Sequence, residues 1–212
     1  MPFQLTLEEG TFLVKLAREA VENYLKDGIV LTVPANISQR LNERCGVFVT
    51  ISKASHEKKA LRGCIGLPYP TTMLAQAVIE SAISSATKDP RFPSLSLHEL
   101  SQVVFEVSVL TPPQQVEVQD SKEYPSKIMV GRDGLIVERS FRKGLLLPQV
   151  PVEWKWDEET FLCQCCIKAG LPPDSWLLAD TKIYAFQAII FEEKAPNGEV
   201  TLKEIGGKIC DS

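Results

Sequence analysis

Two short runs, Gly46-Val-Phe-Val-Thr-Ile-Ser52 and Leu61-Arg-Gly-Cys-Ile-Gly66, constrain the fold of this chain more than any other feature. The first is dense in β-branched residues, which suit the pleated, buried surface of a core strand. The second follows the polar loop Lys53–Lys59 and reads as its hairpin partner over Ala60–Gly66. Pro68 and Pro70 end it, because proline cannot donate to a strand ladder. A hairpin of this kind needs apolar cover, and helical periodicity on either side supplies it. Thr6-Leu7-Glu8-Glu9 is a capping box, followed by Leu13, Leu16, Ala17, Ala20, Val21 and Tyr24 at helical spacing until Gly28. A second helix is expected over Thr72–Thr87, where Leu74, Ala77, Val78, Ser81, Ala82 and Ser85 form a stripe of small and apolar side chains suited to close packing on a sheet.

The rest of the chain continues the alternation of strand pairs and helices. A short helix is expected near Ser38–Glu43, and Ser96-x-x-Glu99 caps a single turn. Gln102–Thr111 alternates as a strand, with Val103, Phe105, Val107 and Val109 toward the core and Val104, Glu106, Ser108 and Leu110 on a face that borders a cleft. Beyond it the pattern predicts short antiparallel strands at Ile128–Val130, Leu135–Glu138 and Leu145–Leu147, with a Gly131-Arg-Asp-Gly134 turn. A helix opens at Asp157 with Phe161, Leu162, Cys165 and Ala169 inward, and Gly170 with Pro172-Pro173 closes it. Lys182–Phe191 reads as one long strand, and Asn197-Gly198 turns the chain into Glu199–Ile205. No βαβ unit repeats, so the expected class is α+β: antiparallel sheets covered by helices, in two closely packed lobes that form one unit over residues 1–212. The proline-containing stretch 112–127 is the place for a lobe boundary.

The 212 residues are 44% hydrophobic and 24% charged, enough to bury a real core. The formal charge of −4 gives no general attraction to phosphate backbones, which disfavours nucleic-acid binding. No apolar run approaches the roughly 18 residues of a membrane span, and the first residues carry no signal-peptide pattern, so no membrane association and a cytoplasmic location are expected. There the six cysteines would remain thiols. P-loop, dinucleotide-binding, zinc-protease, nucleophile-elbow and EF-hand signatures are absent, and no cofactor is called for. Cys163-x-Cys165-Cys166 lacks a second ligand pair and reads as the apolar face of a helix, so no metal is expected.

The candidate site lies in the second strand of the hairpin. Side chains alternate along a strand, so Arg62 and Cys64 are expected on one face and Leu61 and Ile65 on the other. A positive charge beside a thiol favours the nucleophilic thiolate, and Gly63 and Gly66 let a ligand or another backbone approach. The competing structural reading is a bulge glycine and an inert buried cysteine. Arg91, in the proline-framed loop Asp89-Pro-Arg-Phe-Pro93, either presents its guanidinium to a carboxylate or phosphate or ties the loop down. Glu106 and His98 are the candidate proton carriers, with salt-bridge and solvated roles as their alternatives. His56 sits in a charged loop, and Arg139, Arg142 and Lys143 form a modest basic cluster.

At Leu61–Gly66 the chain resembles the AMMECR family, named for the Alport syndrome, midface hypoplasia, mental retardation and elliptocytosis chromosomal region protein. The resemblance extends through Asp89-Pro-Arg-Phe-Pro93, Glu106-Val-Ser-Val-Leu-Thr-Pro112, the Gly131–Ile136 turn, Gly144–Val150, Trp154, Phe161-Leu162, Lys168–Leu171 and Trp176, most of the chain in the expected order. It implies an α+β unit of two lobes and a compact archaeal or bacterial form. It also implies a pathway shared with Memo-type and radical-SAM proteins, but no settled activity. The expected function is a ligand or active-site cleft around Leu61–Gly66, bordered by Asp89, Arg91 and Glu106. As an enzyme, the protein would use Cys64 as nucleophile or redox thiol, with Arg62 lowering its pKa and holding a small anionic ligand, and Glu106 or His98 handling protons. The alternative is a non-enzymatic module that binds a partner protein, and the weaker one is RNA binding through the basic cluster. Oligomeric state is not legible.

Overall fold

A computed structural model of the protein describes residues 5–54 and 60–205. The elements run α1 (Leu7–Asp27), β1 (Gly46–Lys53), β2 (Ala60–Leu67), α2 (Leu74–Thr87), β3 (Val103–Leu110), β4 (Gln114–Gln115) and α3 (Tyr124–Lys127). There follow β5 (Gly134–Arg139), β6 (Arg142–Leu146), α4 (Gln149–Glu153), α5 (Glu158–Lys168), β7 (Lys182–Phe186), β8 (Ala188–Glu193) and β9 (Val200–Leu202). The class is α+β, with one five-stranded and one four-stranded sheet.

By contacts the chain divides into two compact units, one running up to Leu110 and including Ile189–Lys203, the other containing Thr111–Ala188. The first holds the sheet β2-β1-β3-β8-β9. Its β1 pairs antiparallel with both β2 and β3. Val47, Val49 and Ile51 of β1 and Val103, Phe105, Val107 and Val109 of β3 form one core with Leu13, Val14, Ala17 and Val21 of α1 and Leu74, Ala77, Val78 and Ala82 of α2. α1 starts as its sequence dictates: the Thr6 hydroxyl accepts from the Glu9 N–H and the Glu9 carboxylate accepts from the Thr6 N–H. Gly28, at φ 71°, ends it in the left-handed conformation. A buried ion pair also joins α1 to the sheet: Arg18 donates to both carboxylate oxygens of Glu193 and to the carbonyls of Leu100 and Val103.

The second unit holds the sheet β4-β7-β5-β6. Its core is Leu135, Val137, Phe161, Leu162, Cys165, Cys166, Trp176 and Ile183. Three expectations change here. Ile128–Val130 is not a strand; it leads from the end of α3 into the turn, where the Asp133 carboxylate accepts from the Met129 N–H and competes with ladder pairing. α4 lies in a proline-containing stretch whose pattern announced no helix. Lys182–Phe191 is not one strand: at Gln187 it divides into β7 and β8, which belong to different sheets. Thr111 and Gln187 hold the division, since the Thr111 N–H donates to the Gln187 carbonyl at 2.9 Å and the Gln187 N–H to the Thr111 hydroxyl at 2.8 Å.

Candidate functional site

The β1–β2 hairpin runs in simple antiparallel register from Val47↔Leu67 to Ile51↔Gly63 and then slips to Ser52↔Leu61. Arg62 is the extra residue of this bulge, and a bulge re-aims the side chain it carries. The Arg62 guanidinium is buried, with Nε 3.0 Å from Glu99 Oε1, Nη1 2.9 Å from the Pro93 carbonyl and Nη2 3.3 Å from the Ser94 carbonyl. It holds the Glu99 carboxyl down at about 2, helped by the Ser96 N–H. Arg62 is therefore a bolt between β2 and the loop after α2. The expectation that it stands beside Cys64 and lowers its pKa is corrected: the bulge breaks the alternation on which that placement rested.

Cys64 is half-buried, and the Thr50 hydroxyl donates to its Sγ at 3.2 Å. Burial pushes the thiol above its ordinary value and the Glu106 and Asp89 carboxylates push the same way, while Thr50 and Arg91 pull against them without reversing the sign. At rest Cys64 is a protonated thiol, not a thiolate. Its register partner is Thr50, whose partner on β3 is Glu106, so thiol, hydroxyl and carboxylate form one row across three strands. The row continues chemically: Lys203 Nζ lies 2.8 Å from Glu106 Oε2 and 3.9 Å from Glu192 Oε2. Glu192 is in turn opposite Thr201 on β9. The face of β3 that carries Glu106 is less open than its sequence suggests, since Val104, Ser108 and Leu110 are buried and Glu106 alone is partly accessible.

β2 is an edge strand, and the loop after α2 closes that edge at Cys64. The buried Asp89 carboxylate accepts the Cys64 N–H at 2.9 Å, and Arg91 Nη2 reaches the Cys64 carbonyl at 3.4 Å. Arg91 also grips Asp89 through Nε at 2.9 Å and Nη2 at 2.7 Å, and the pair holds the Asp89 carboxyl at about 2. One residue further, Ser85 of α2 enters the hairpin: its hydroxyl accepts the Ile65 N–H at 2.8 Å and donates to the Val49 carbonyl at 2.7 Å. This requires close approach, and Gly63 permits it, because a Cβ there would sit 2.1 Å from the Ser85 carbonyl oxygen. A Cβ at Gly66 would sit 2.2 Å from the Val47 carbonyl oxygen. Of the two neighbours expected at these glycines, a ligand or another backbone, the one present at both is protein backbone.

The remaining sequence candidates fall elsewhere. His98 is exposed, with Nδ1 3.0 Å from Ser96 Oγ, and lines a shallow groove of about 620 Å³ with Arg18, Glu22 and Lys26. The groups that act on the Cys64 thiol are Thr50, Glu106, Arg91 and Asp89 instead. His56 lies outside the described residues. Cys165 and Cys166 are buried, their thiols raised to about 12 and about 11 by burial. Among the described residues no group of three or more His, Cys, Asp or Glu is placed to hold a metal ion, and no helix is long and apolar enough to cross a membrane. The basic cluster is engaged locally: Arg139 with Asp180, Arg142 with the Gly170 carbonyl, and Lys143 with Glu138. Sequence reasoning missed Thr50, Ser85, Glu99 and Lys203 as parts of the site. Thr50 did carry a signal, as a hydroxyl-bearing position between the apolar residues Val49 and Ile51 of β1.

The AMMECR1 family model matches residues 14–191, a span that contains the hairpin, the Asp89–Arg91 loop and Glu106. The chain belongs to the AMMECR1 family. A family protein of Thermococcus gammatolerans is 53% identical over 204 residues, covering 96% of this chain and 99% of that one. Protein MJ0810 of Methanocaldococcus jannaschii is 53% identical over 203 residues, covering 95% and 98%. The crystal structure of the uncharacterized protein PH0010 from Pyrococcus horikoshii superposes with a TM-score of 0.90 at 54% identity, covering 93% of this chain and 97% of that one. AMMECR1 membership thus agrees with the α+β fold and brings no reaction with it.

Proposed function

We propose that the chain binds a small anionic molecule on the Cys64–Thr50–Glu106 row and uses Cys64 as the group that reacts with it. The row itself carries this reading. The other face of the same strands is uniformly apolar, with Val47, Val49, Ile51, Val107 and Val109 fully buried. A thiol, a hydroxyl and a carboxylate partly removed from water contribute less to packing than the apolar side chains of the other face, and they persist there only because Thr50 pairs with Cys64 and Lys203 with Glu106. Glu106 is engaged by Lys203, and its charge opposes thiolate formation, so it is not a base poised beside Cys64 in the resting protein. Reactivity follows arrival of a ligand that changes this balance.

The test is alkylation of the native protein with iodoacetamide over a pH series from neutral to about pH 11, read residue by residue by mass spectrometry. Cys64 should be labelled, with a rate that rises only in the alkaline range. If Cys64 stays unlabelled throughout while the half-buried Cys163 reacts, the reading is lost and Cys64 is core.

A second reading, a module that docks a partner protein of the Memo or radical-SAM type, is favoured by the large apolar side chains that the second unit exposes, Phe141 at 86% and Trp154 at 66%. It predicts a complex with such partners in gel filtration that Phe141→Ser or Trp154→Ser weakens and Cys64→Ser leaves intact.

A further inference from the structure

Arg91 differs from the other arginines near the hairpin in what it leaves unused. Nε and Nη2 are held by the Asp89 carboxylate and the Cys64 carbonyl, and among the described residues Nη1 makes no hydrogen bond. The Arg91 side chain is 47% exposed, while Asp89, only 2% exposed, fixes the plane of the guanidinium. The Phe92 ring lies 5.5 Å from the guanidinium carbon and restricts it further. A cation held in this way has already lost its rotamer freedom and binds a planar or tetrahedral anion without a further ordering cost. Arg62, by contrast, is buried and bonded through all three nitrogens.

Position narrows the ligand. A guanidinium nitrogen 3.4 Å from the Cys64 carbonyl oxygen lies within about 8 Å of the sulfur of the same residue. An anion on Nη1 and an electrophilic carbon at Sγ must then belong to one short molecule. We propose that Arg91 is the anion anchor of the Cys64 site, and that the site takes a short carboxylate or phosphate compound whose electrophilic carbon is one or two bonds from the anionic group. This rests on the reading of Cys64 as the reacting group and specifies what it reacts with. In the reaction the thiol gives its proton to solvent, the sulfur lone pair forms the S–C bond, and the bond from carbon to its leaving group breaks with both electrons going to that group. Glu106 and Asp89 do not repel the incoming anion from unpaired positions, since Lys203 and Arg91 hold them.

Iodoacetate and iodoacetamide test this directly, being near-isosteric alkylating agents that displace iodide and differ in charge. Because both need the same thiolate, the ratio of their rates at Cys64 cancels the thiol's pKa, and Cys163 in the same sample is the reference. The iodoacetate-to-iodoacetamide ratio at Cys64 should exceed that at Cys163 by about tenfold, the worth of one charge-assisted contact. Arg91→Gln should bring the two ratios together and Arg91→Lys should keep part of the difference. High salt should erase it in the unaltered protein, a control that needs no variant to fold. Protection of Cys64 by acetate and by inorganic phosphate at equal ionic strength separates a carboxylate from a phosphate ligand. Equal ratios at the two cysteines, or a high ratio that survives Arg91→Gln, would overturn the anchor while leaving Cys64 reactive. Failure of both reagents at Cys64 would remove the site altogether.

Discussion

Thr50 and Cys64 face each other across the β1–β2 hairpin, with the threonine hydroxyl donating to the sulfur at 3.2 Å. That contact acts against burial and against two carboxylates, and the balance leaves the thiol protonated. In Thr50→Val the donor goes and the shape stays. The onset of Cys64 alkylation should move to still higher pH, with a loss of stability of about 1 kcal/mol. An unchanged pH profile would mean that the hydroxyl does not act on the sulfur.

Arg62 and Glu99 make the opposite prediction. Arg62→Ala leaves the Pro93 and Ser94 carbonyls without the guanidinium and Glu99 with Ser96 alone, and breaking a largely buried pair costs roughly 3–5 kcal/mol, less here because Glu99 is 19% exposed and keeps the Ser96 donors. Urea denaturation should show the loss. The pH profile of Cys64 labelling should not move, since the bulge commits the Arg62 guanidinium to Glu99, Pro93 and Ser94 and not to the thiol. A profile shifted upward by Arg62→Ala would restore the thiolate role that the bulge removes.

Asp89 and Glu99 are both held at about 2 in the folded protein, below the ordinary carboxylate range. A depressed folded pKa contributes stability that is fully present above the unfolded value and lost as pH falls through the folded one. Stability should therefore decline between about pH 4.5 and pH 2, by an amount on the order of 2 kcal/mol for each of the two carboxylates. Asp89→Asn should flatten that part of the curve. Thermal unfolding across this range measures it, and equal slopes in the two proteins would contradict the assignment.

Gly63 and Ser85 are coupled by contact. Gly63→Ala puts a methyl group against the Ser85 carbonyl and should cost about 1–3 kcal/mol, because the obstacle is helix backbone that cannot rotate away. Ser85→Ala leaves the Ile65 N–H and the Val49 carbonyl without that hydroxyl and should cost a similar amount. Denaturation midpoints of both variants test this, and a Gly63→Ala protein of unchanged stability would show that α2 sits farther from β2 than described.

The parts of this protein that could be read from residues are those governed by neighbours in the chain. The Thr6–Glu9 capping box, the β-branched run of β1, the small-residue stripe of α2 and the left-handed turn at Asn197 depend on spacings of a few positions, and local sterics and hydrogen bonding settle them. Arg62, Cys64, Asp89, Arg91 and Glu106 could be named as candidates by residue type, but their roles could not be assigned. A one-residue bulge turns Arg62 away from the thiol and toward Glu99 37 positions later, and the loop after α2 puts Arg91 there instead. Lys203 reaches Glu106 across 97 residues, and Gln187 divides a continuous strand pattern because Thr111 is beside it. Strand alternation sets which side a residue faces only while the register holds, and register, edge closure and charge pairing are properties of segments brought together by the fold. The residue types of the site were therefore legible in the chain, while the protonation of its sulfur and the cation beside it were decided in three dimensions, where burial and Coulomb interaction act through distance rather than sequence.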